Sequence, residues 1–401
     1  MPAHCAVDFV MKIIGTNIAD VTATWISCPI PFEKQHTSDF GRISSFDMAL
    51  VVVTLENGMI GYGEAKAAVG SQGSCEALVS IIEKEFKPQL IGKDATQISR
   101  IWSLLYNGSR SGYGETRGRS FHVLGRRGIW ISAMSGIDLA LWDLAGKRLN
   151  APVLDLVGGA VRDKMDAYAS GGWADVNTIG EQLRSYVEHG FKSVKMRIGV
   201  MDGPVSASVA RVTAAREALG PDYDIMVDAH GTYNPTEAQE FSRRTADLNL
   251  RWFEEPVSAD ARKAMTAVRR DAPMPISMGE SEFTCFDFQD LIDREAADIL
   301  QPDMAICGGF TEGLKISALA VSNQLELAPH CWGSAISFSA GLTLAFASPA
   351  ASIIEFSLGA NPFLQDLVSQ NINADNGTFS PPTGAGWGLT INNDFVAEFA
   401  R

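Results

Sequence analysis

From about Lys164 onward the chain repeats one pattern eight times: a short strand-like run, then a helical stretch. The runs are DAYAS (166–170), SVKMR (193–197), DIMVD (224–228), RWFEE (251–255), PISMG (275–279), DILQP (298–302), LELAP (325–329) and SIIEF (352–356). Their spacing of roughly 20 to 30 residues suits successive βα units, and eight such units in a row predict a parallel barrel ringed by helices. In a barrel the C-terminal ends of all strands meet on one face, where chemistry is placed. The residues ending each run are therefore the first place to look for a site.

The 401 residues exceed one barrel of about 250 and leave roughly 150 for a second unit. From Met11 to about Lys147 strands come first and helices follow. ALVVVTLENGMIGYGEA (49–65) reads as an apolar strand, an Asn-Gly turn and a second short strand, which is a hairpin. SAMSGIDLALWDLAGKRL (132–149) places Met134, Ile137, Leu141 and Leu144 on one helical face. That helix is expected to join the α+β unit to the barrel. The turn-rich PPTGAGWGL (381–389) is expected to return to the first unit. No internal sequence repeat or low-complexity tract stands out.

Three successive runs end in carboxylates, Asp228, Glu254 and Glu280, each 26 positions after the one before. Alone, each would read as a solvated strand-end acid; at matched positions on three neighbouring units, they converge. Converging anions repel unless a cation sits among them, and oxygen ligands around a hard ion with open positions suit Mg²⁺. Because side chains alternate along a strand, Glu254 and Glu255 cannot both face inward. Glu254 is assigned to the metal, and Glu255 supports the ligands from behind or takes part in an ion pair.

Lys195 and Arg197 lie two apart on the second run and so share a face, with Val194 and Met196 on the other. If that face is interior, two cations stand opposite the metal site. A neighbouring guanidinium and a divalent ion both favour a neutral lysine. Arg197 stays charged and can bind a carboxylate or stabilise developing negative charge.

Of six histidines, His4, His122 and His189 read as tail, loop and helix-end residues at the surface. His36 lies in the polar segment PFEKQHTSDFGR (31–42), placed to cover a site. His230 comes two residues after Asp228, and His330 directly follows the seventh run. Asp303, one unit before His330, can fix its tautomer and support the imidazolium, giving an acid/base pair. Glu355 closes the ring on the eighth run, either hydrogen-bonding a substrate carboxylate or enolate or forming a rim ion pair.

Composition limits the partners. With 33 basic and 47 acidic residues, net charge −14, and no basic stretch interleaved with aromatics, the chain offers no nucleic-acid groove. The six cysteines are scattered without metal-ligand spacing, and no secretory signal or membrane-length apolar run is evident. The expectation is a reduced, cytoplasmic protein.

The ordered set SGIDLALWDLAGK, Lys-x-Arg, VDAH, WFEEPV, MGE, LQPDM…GG and PHCWG resembles the enolase superfamily, in its mandelate racemase branch. The likeness runs over almost the whole chain from about Met11. It implies a modified (β/α)7β TIM-like barrel over 161–374, under an α+β N-terminal capping domain over 11–160 that 375–401 complete. It also implies Asp228, Glu254 and Glu280 as Mg²⁺ ligands, the His330–Asp303 dyad as one acid/base group, and a homo-oligomer. Many relatives carry Lys-x-Lys where this chain has Lys195 and Arg197, the second lysine commonly being the base on the opposite substrate face. Its replacement weakens a racemase reading.

DAHG and LAPHC look like the corresponding stretches of sugar-acid dehydratases of the galactonate type. The likeness therefore implies Mg²⁺-dependent dehydration of an aldonate or aldarate through an enediolate to a 2-keto-3-deoxy acid. His230 and His330 would divide the acid and base work, in an order the sequence leaves open. PHCWG also resembles a sugar-lactone cycloisomerase, so epimerisation or cycloisomerisation is the nearest alternative. More remote are a Schiff-base lyase using Lys195 and a sugar-acid-binding protein without turnover. A metallohydrolase is disfavoured because DAYAS has no His-x-His pair.

Overall fold

A computed structural model describes residues 15–35, 37–39, 41–67, 75–108, 116–118, 121–122 and 124–401. His4, His36, Cys5 and the start of the first unit at 11–14 lie outside the described residues.

Strand alternation divides the first sheet between two cores. β1 (Ile18–Pro29), β2 (Ser45–Leu55) and β3 (Ile60–Ala65) form an antiparallel sheet in that order. The β2–β3 connection is the Asn57-Gly58 turn, with Gly58 at φ +83°. On β2, Val51, Val53 and Leu55 pack with Ile82, Phe86 and Leu141 in a separate N-terminal core. Met48 and Leu50 point the other way and join the large barrel core.

α1 (Ile98–Asn107) and α2 (Ile129–Leu149) cover the sheet. α2 is buried far beyond the single apolar face expected of it: Ser132, Ser135, Asp138 and Asp143 are buried along with its apolar residues. The reason is its place between layers. On one side a Cβ on Gly61 or Gly63 would collide with the α2 backbone at Ala140 and Gly136. On the other, Asp138 accepts hydrogen bonds from the amide and hydroxyl of Thr311, at 2.9 and 2.5 Å.

The barrel strands are β4 (Met165–Ser170), β5 (Ser193–Arg197), β6 (Asp224–Asp228), β7 (Trp252–Glu254), β8 (Ile276–Met278), β9 (Ile299–Leu300), β10 (Glu326–Leu327) and β11 (Ile354–Ser357). From β4 to β10 each pairs in parallel with the next in sequence, and β11 pairs with β4. A bridge from Leu327 to Ala351 closes the ring between the seventh and eighth strands. Helices α3 (Ile179–Glu188), α4 (Val205–Leu219), α5 (Pro235–Arg244), α6 (Arg262–Asp271), α7 (Thr284–Asp293), α8 (Phe310–Ser322) and α9 (Ala335–Ala347) follow the first seven strands. Directly after the eighth, in place of a full barrel helix, comes the four-residue helix Pro362–Gln365, as a (β/α)7β barrel requires.

The tail touches both units. β12 (Thr378–Phe379) pairs antiparallel with the start of β4, so this part of the tail adds to the barrel rather than to the first sheet. Farther on, Trp387 donates from its amide to Asp143 and from its indole to the carbonyl of Leu139 on α2. α10 (Asn393–Phe399) packs on β1, and the amide of Arg401 donates to the carbonyl of Trp25 at 2.8 Å.

Inside the ring Tyr168, Met226, Trp252, Ile299, Ala328 and Ile353 form a small separate cluster. This apolar floor comes from six of the eight units. One strand repeat further on, at two residues, lie Ser170, Asp228, Glu254, Gln301, His330 and Glu355. Period-two alternation thus turns a greasy plug into a polar rim. Among the described residues no helix is long and apolar enough to cross a membrane, and five of the cysteines are free.

Candidate active site

Asp228, Glu254 and Glu280 each offer a carboxylate oxygen, and these oxygens lie within 4.8 Å of one another. All three residues are almost completely buried. Donors aim them: the indole of Trp252 and the side-chain amide of Gln301 donate to Glu254 Oε2, at 3.0 and 2.8 Å. The amide of His230 donates to Asp228 Oδ1 at 2.9 Å. Glu280 Oε1 is buried with no hydrogen-bond partner. Burial, together with repulsion from Asp228, Glu280 and Glu355, pushes Glu254 up to about 8 despite Lys195. Burial likewise raises Glu280. Three buried, converging oxygen donors, one of them with an unpartnered oxygen, fit a hard divalent cation.

Lys195 and Arg197 are not opposite this cluster but joined to it. Lys195 Nζ lies 2.6 Å from Glu254 Oε1, 3.0 Å from Glu355 Oε1 and 3.6 Å from Asp228 Oδ2. Burial favours the neutral amine, yet Glu254, Glu355 and Asp228 outweigh it and hold Lys195 well above the ordinary lysine range. The expected neutral lysine is therefore corrected to an ammonium ion, because its nearest neighbours are carboxylates rather than Arg197. Arg197 bonds Asp228 Oδ2 at 2.8 Å.

Glu355 also accepts from the Cys331 amide at 2.8 Å. Burial opposes its ionisation, but Lys195 and His330 bring its pKa down to about 2. Here it is an ion-pair partner of Lys195, and as an anion it accepts hydrogen bonds without donating any.

His330 is buried, with Nδ1 at 2.8 Å from Asp303 Oδ2 and Nε2 at 3.2 Å from Glu280 Oε2. Residues 303 and 330 also form a parallel backbone bridge. Burial works against the charged ring, but Glu280, Glu355 and Asp303 push its pKa up to about 9. His230 has its backbone in the left-handed region, at φ +45°. Its Nε2 is 3.7 Å from Asp228 Oδ2. The two imidazoles thus adjoin the carboxylate cluster at different members.

Of the two places expected for Glu255, behind the ligands or in an ion pair, only the second is ruled out among the described residues. At φ +37° it leaves the strand, and its side chain is buried with Oε1 unpartnered; no ion pair to it is found among the described residues. Burial, with Glu280 and Asp228 nearby, raises it well above the usual carboxylate range. It lines a cavity of about 620 Å³ with His230, Ser258, Arg262 and Glu282. His189 is exposed at the end of α3, its Nδ1 2.6 Å from the Ser185 carbonyl. His122 is not a plain surface residue: it is half-buried against Trp102, Tyr106 and Phe286.

Three residues at this rim escaped the sequence reading. Gln301 was legible by counting two residues past Ile299 on the strand. Asp39 comes from the 31–42 segment and lies 3.1 Å from Arg197 and 3.3 Å from His230. Lys66 follows β3 and donates to the Trp332 carbonyl at 2.8 Å, with Nζ 3.7 Å from Asp303 Oδ2. Neither of the last two carries a local signal, since each reaches the barrel from the first unit.

Residues 178–395 match the family described as enolase C-terminal domain-like, and residues 21–158 match the mandelate racemase / muconate lactonizing enzyme N-terminal domain. The chain is 33% identical over 363 residues to the D-galactarolactone cycloisomerase of Agrobacterium fabrum, covering 87% of this chain and 90% of that protein. It is 33% identical over 365 residues to the arabinonate dehydratase of Saccharolobus solfataricus, covering 89% and 92%. The crystal structure of a racemase from Streptomyces coelicolor A3(2) with bound magnesium matches at a TM-score of 0.82 and 25% identity, over 96% of this chain and 100% of that one. Proteins named for three different reactions thus share this architecture, and the reaction has to be argued from the rim.

Proposed function

The chain belongs to the mandelate racemase / muconate lactonizing enzyme family of the enolase superfamily, and from that premise we propose that it is a Mg²⁺-dependent dehydratase of a sugar acid. The observation that carries this reading is the pair of imidazoles, His330 and His230, next to one carboxylate cluster, with Arg197 where a second lysine base would stand. Dehydration needs one group to take the α-proton and one to protonate the departing β-hydroxyl, and two histidines supply both. Arg197 cannot serve as a base.

Held by Asp228, Glu254 and Glu280, Mg²⁺ would supply fixed positive charge where the enediolate forms. Lys195, kept as an ammonium ion by Glu254 and Glu355, donates to the same developing charge, and Arg197 adds a permanent one. Asp303 holds the His330 ring in place. One imidazole removes the α-proton, the C–O bond to the β-hydroxyl breaks as the other donates a proton, and water leaves. The resulting enol tautomerises to a 2-keto-3-deoxy acid.

Epimerisation or lactone cycloisomerisation is the second reading, favoured by the likeness to the D-galactarolactone cycloisomerase. A Schiff base at Lys195 is disfavoured, because an ammonium clasped by two carboxylates is no nucleophile. A binding protein without turnover predicts stabilisation by sugar acids but no proton exchange. The deciding experiment incubates the protein with arabinonate, D-galactonate and D-galactarolactone in D₂O, with and without Mg²⁺. Release of keto acid that depends on Mg²⁺ is expected. Deuterium exchange or inversion without keto acid overturns dehydration in favour of the second reading.

A further inference from the structure

The segment between β1 and β2 sends one carboxylate to the barrel rim. Asp39, whose side chain is only 2% exposed, places Oδ2 3.3 Å from His230 Nδ1 and 3.1 Å from an Arg197 terminal nitrogen. Its Oδ1 accepts from the Met201 amide at 3.4 Å. Arg197 in turn bonds Asp228, so Asp39 is fixed by a cation that is itself anchored to the carboxylate cluster. The His230 ring lies between Asp39 at Nδ1 and Asp228 at Nε2. Its left-handed backbone, at φ +45°, is a conformation that non-glycine residues adopt where surrounding contacts hold them, often at functional sites.

We infer that Asp39 is the positioning residue of His230, completing from the capping unit a second Asp–His pair across the site from Asp303–His330. Asp39 meets Nδ1 as a close charge contact rather than the aligned hydrogen bond that Asp303 makes with His330; a carboxylate on that side favours the proton on Nδ1 and leaves Nε2 facing the site. The two pairs differ in origin: Asp303 belongs to the barrel, whereas Asp39 is 158 residues from Arg197 in sequence and reaches the rim only because the first unit is docked. The half-site that uses His230 is therefore assembled by a segment whose Thr37 and Asp39 also line a cavity with Arg197 and Trp173. This deepens the dehydratase reading and rests on His230 moving a proton.

The test uses the full-length Mg²⁺-loaded protein with ¹⁵N-labelled histidine. In the wild type the His230 ring, identified by its loss in His230→Asn, should show a protonated Nδ1 and a bare Nε2. Asp39→Ala should abolish that preference, and Asp39→Glu should restore part of it. In turnover of arabinonate or D-galactonate, Asp39→Ala should lower kcat about 10- to 100-fold, within what one acid/base group contributes, with KM changed less than about threefold. In a His230→Asn background the same change should cost less than about twofold, since the pair acts as a unit.

A ring signal indifferent to Asp39 overturns the inference, as does an equal loss in both backgrounds, which would mean that Asp39 acts through Arg197. If the ring responds to Asp39 while His230→Asn keeps full turnover, the positioning stands and the proton-transfer role of His230 falls. Thermal melting of each variant, with Asp39→Asn as the isosteric control, separates these outcomes from misfolding.

Discussion

The two imidazoles at the rim are held in opposite ways. His330 is fixed from within the barrel: Asp303 on the neighbouring unit bonds its ring at 2.8 Å, the two residues share a backbone bridge, and the pair is buried. The first unit reinforces that side from a regular strand. Lys66 follows β3, and Glu64 within it accepts from the Ser334 hydroxyl and from the Ser334 and Ser337 amides at the start of α9. His230 is more open, at 12% side-chain exposure, has strained backbone, and meets its carboxylate through a connecting segment. On the proposed reading, one acid/base group is preorganised by the barrel core, and the other is tied to a connecting segment that can vary without disturbing that core.

The widest test of that contrast removes what both halves share. Chelation, Asp228→Asn or Glu254→Gln should lower turnover by more than about a thousandfold. Mg²⁺ added to metal-free protein should raise its melting temperature, by the equivalent of about 2.7 kcal/mol at a hundredfold excess over Kd. Turnover that survives a chelator would break the metal-centred scheme altogether. Next in size, His330→Asn and Asp303→Asn should each cost about 10²- to 10⁴-fold in kcat, and the double variant little more than either alone. A mild Asp303→Asn would mean that the barrel-held side is no more rigid than the other.

Lys66→Met probes the strand-borne support and should lower kcat by about tenfold, as loss of one charge-assisted contact does, while Lys66→Arg retains more activity. Turnover unchanged in Lys66→Met would confine the influence of the first unit to the His230 side. The smallest effect on turnover is expected at Asp138, in the joint between α2 and α8. Burial raises its carboxyl from 3.8 to about 7, against the hydrogen bonds from Thr311. The folded chain therefore binds this proton more tightly than the unfolded chain. Stability falls as pH rises between those two values and is flat above them. Asp138→Asn should abolish that slope and stabilise the protein at pH 8 by on the order of 1–3 kcal/mol, as read by denaturant melts at pH 5 and pH 8. An unchanged slope would assign the pH dependence to other buried carboxylates such as Glu64.

Asp228, Glu254, Glu280, Lys195, His330 and Glu355 were legible unit by unit, because each lies in or directly after a short run whose alternation dictates which side chains face inward. Ala328 and His330 show the rule: one plugs the barrel, and two residues later the next inward position belongs to the rim. The same rule finds Gln301. It does not reveal the charge of Lys195, which depends on Glu254 and Glu355 meeting around it from strands 59 and 160 positions away. Nor does it reveal that α2 is buried on nearly all sides, since amphipathic periodicity describes one partner and α2 has two.

The order of strands and helices, the inward residues and the acids at the strand ends were all written locally, within stretches of about 30 residues, because backbone periodicity and strand pairing between neighbouring units need nothing longer. Asp39 beside His230, Lys66 beside Asp303, and the protonation of the buried cluster arose only in three dimensions. Packing sets those distances, and the electrostatic field at a buried group sums over every charge brought near it, whatever its place in the chain.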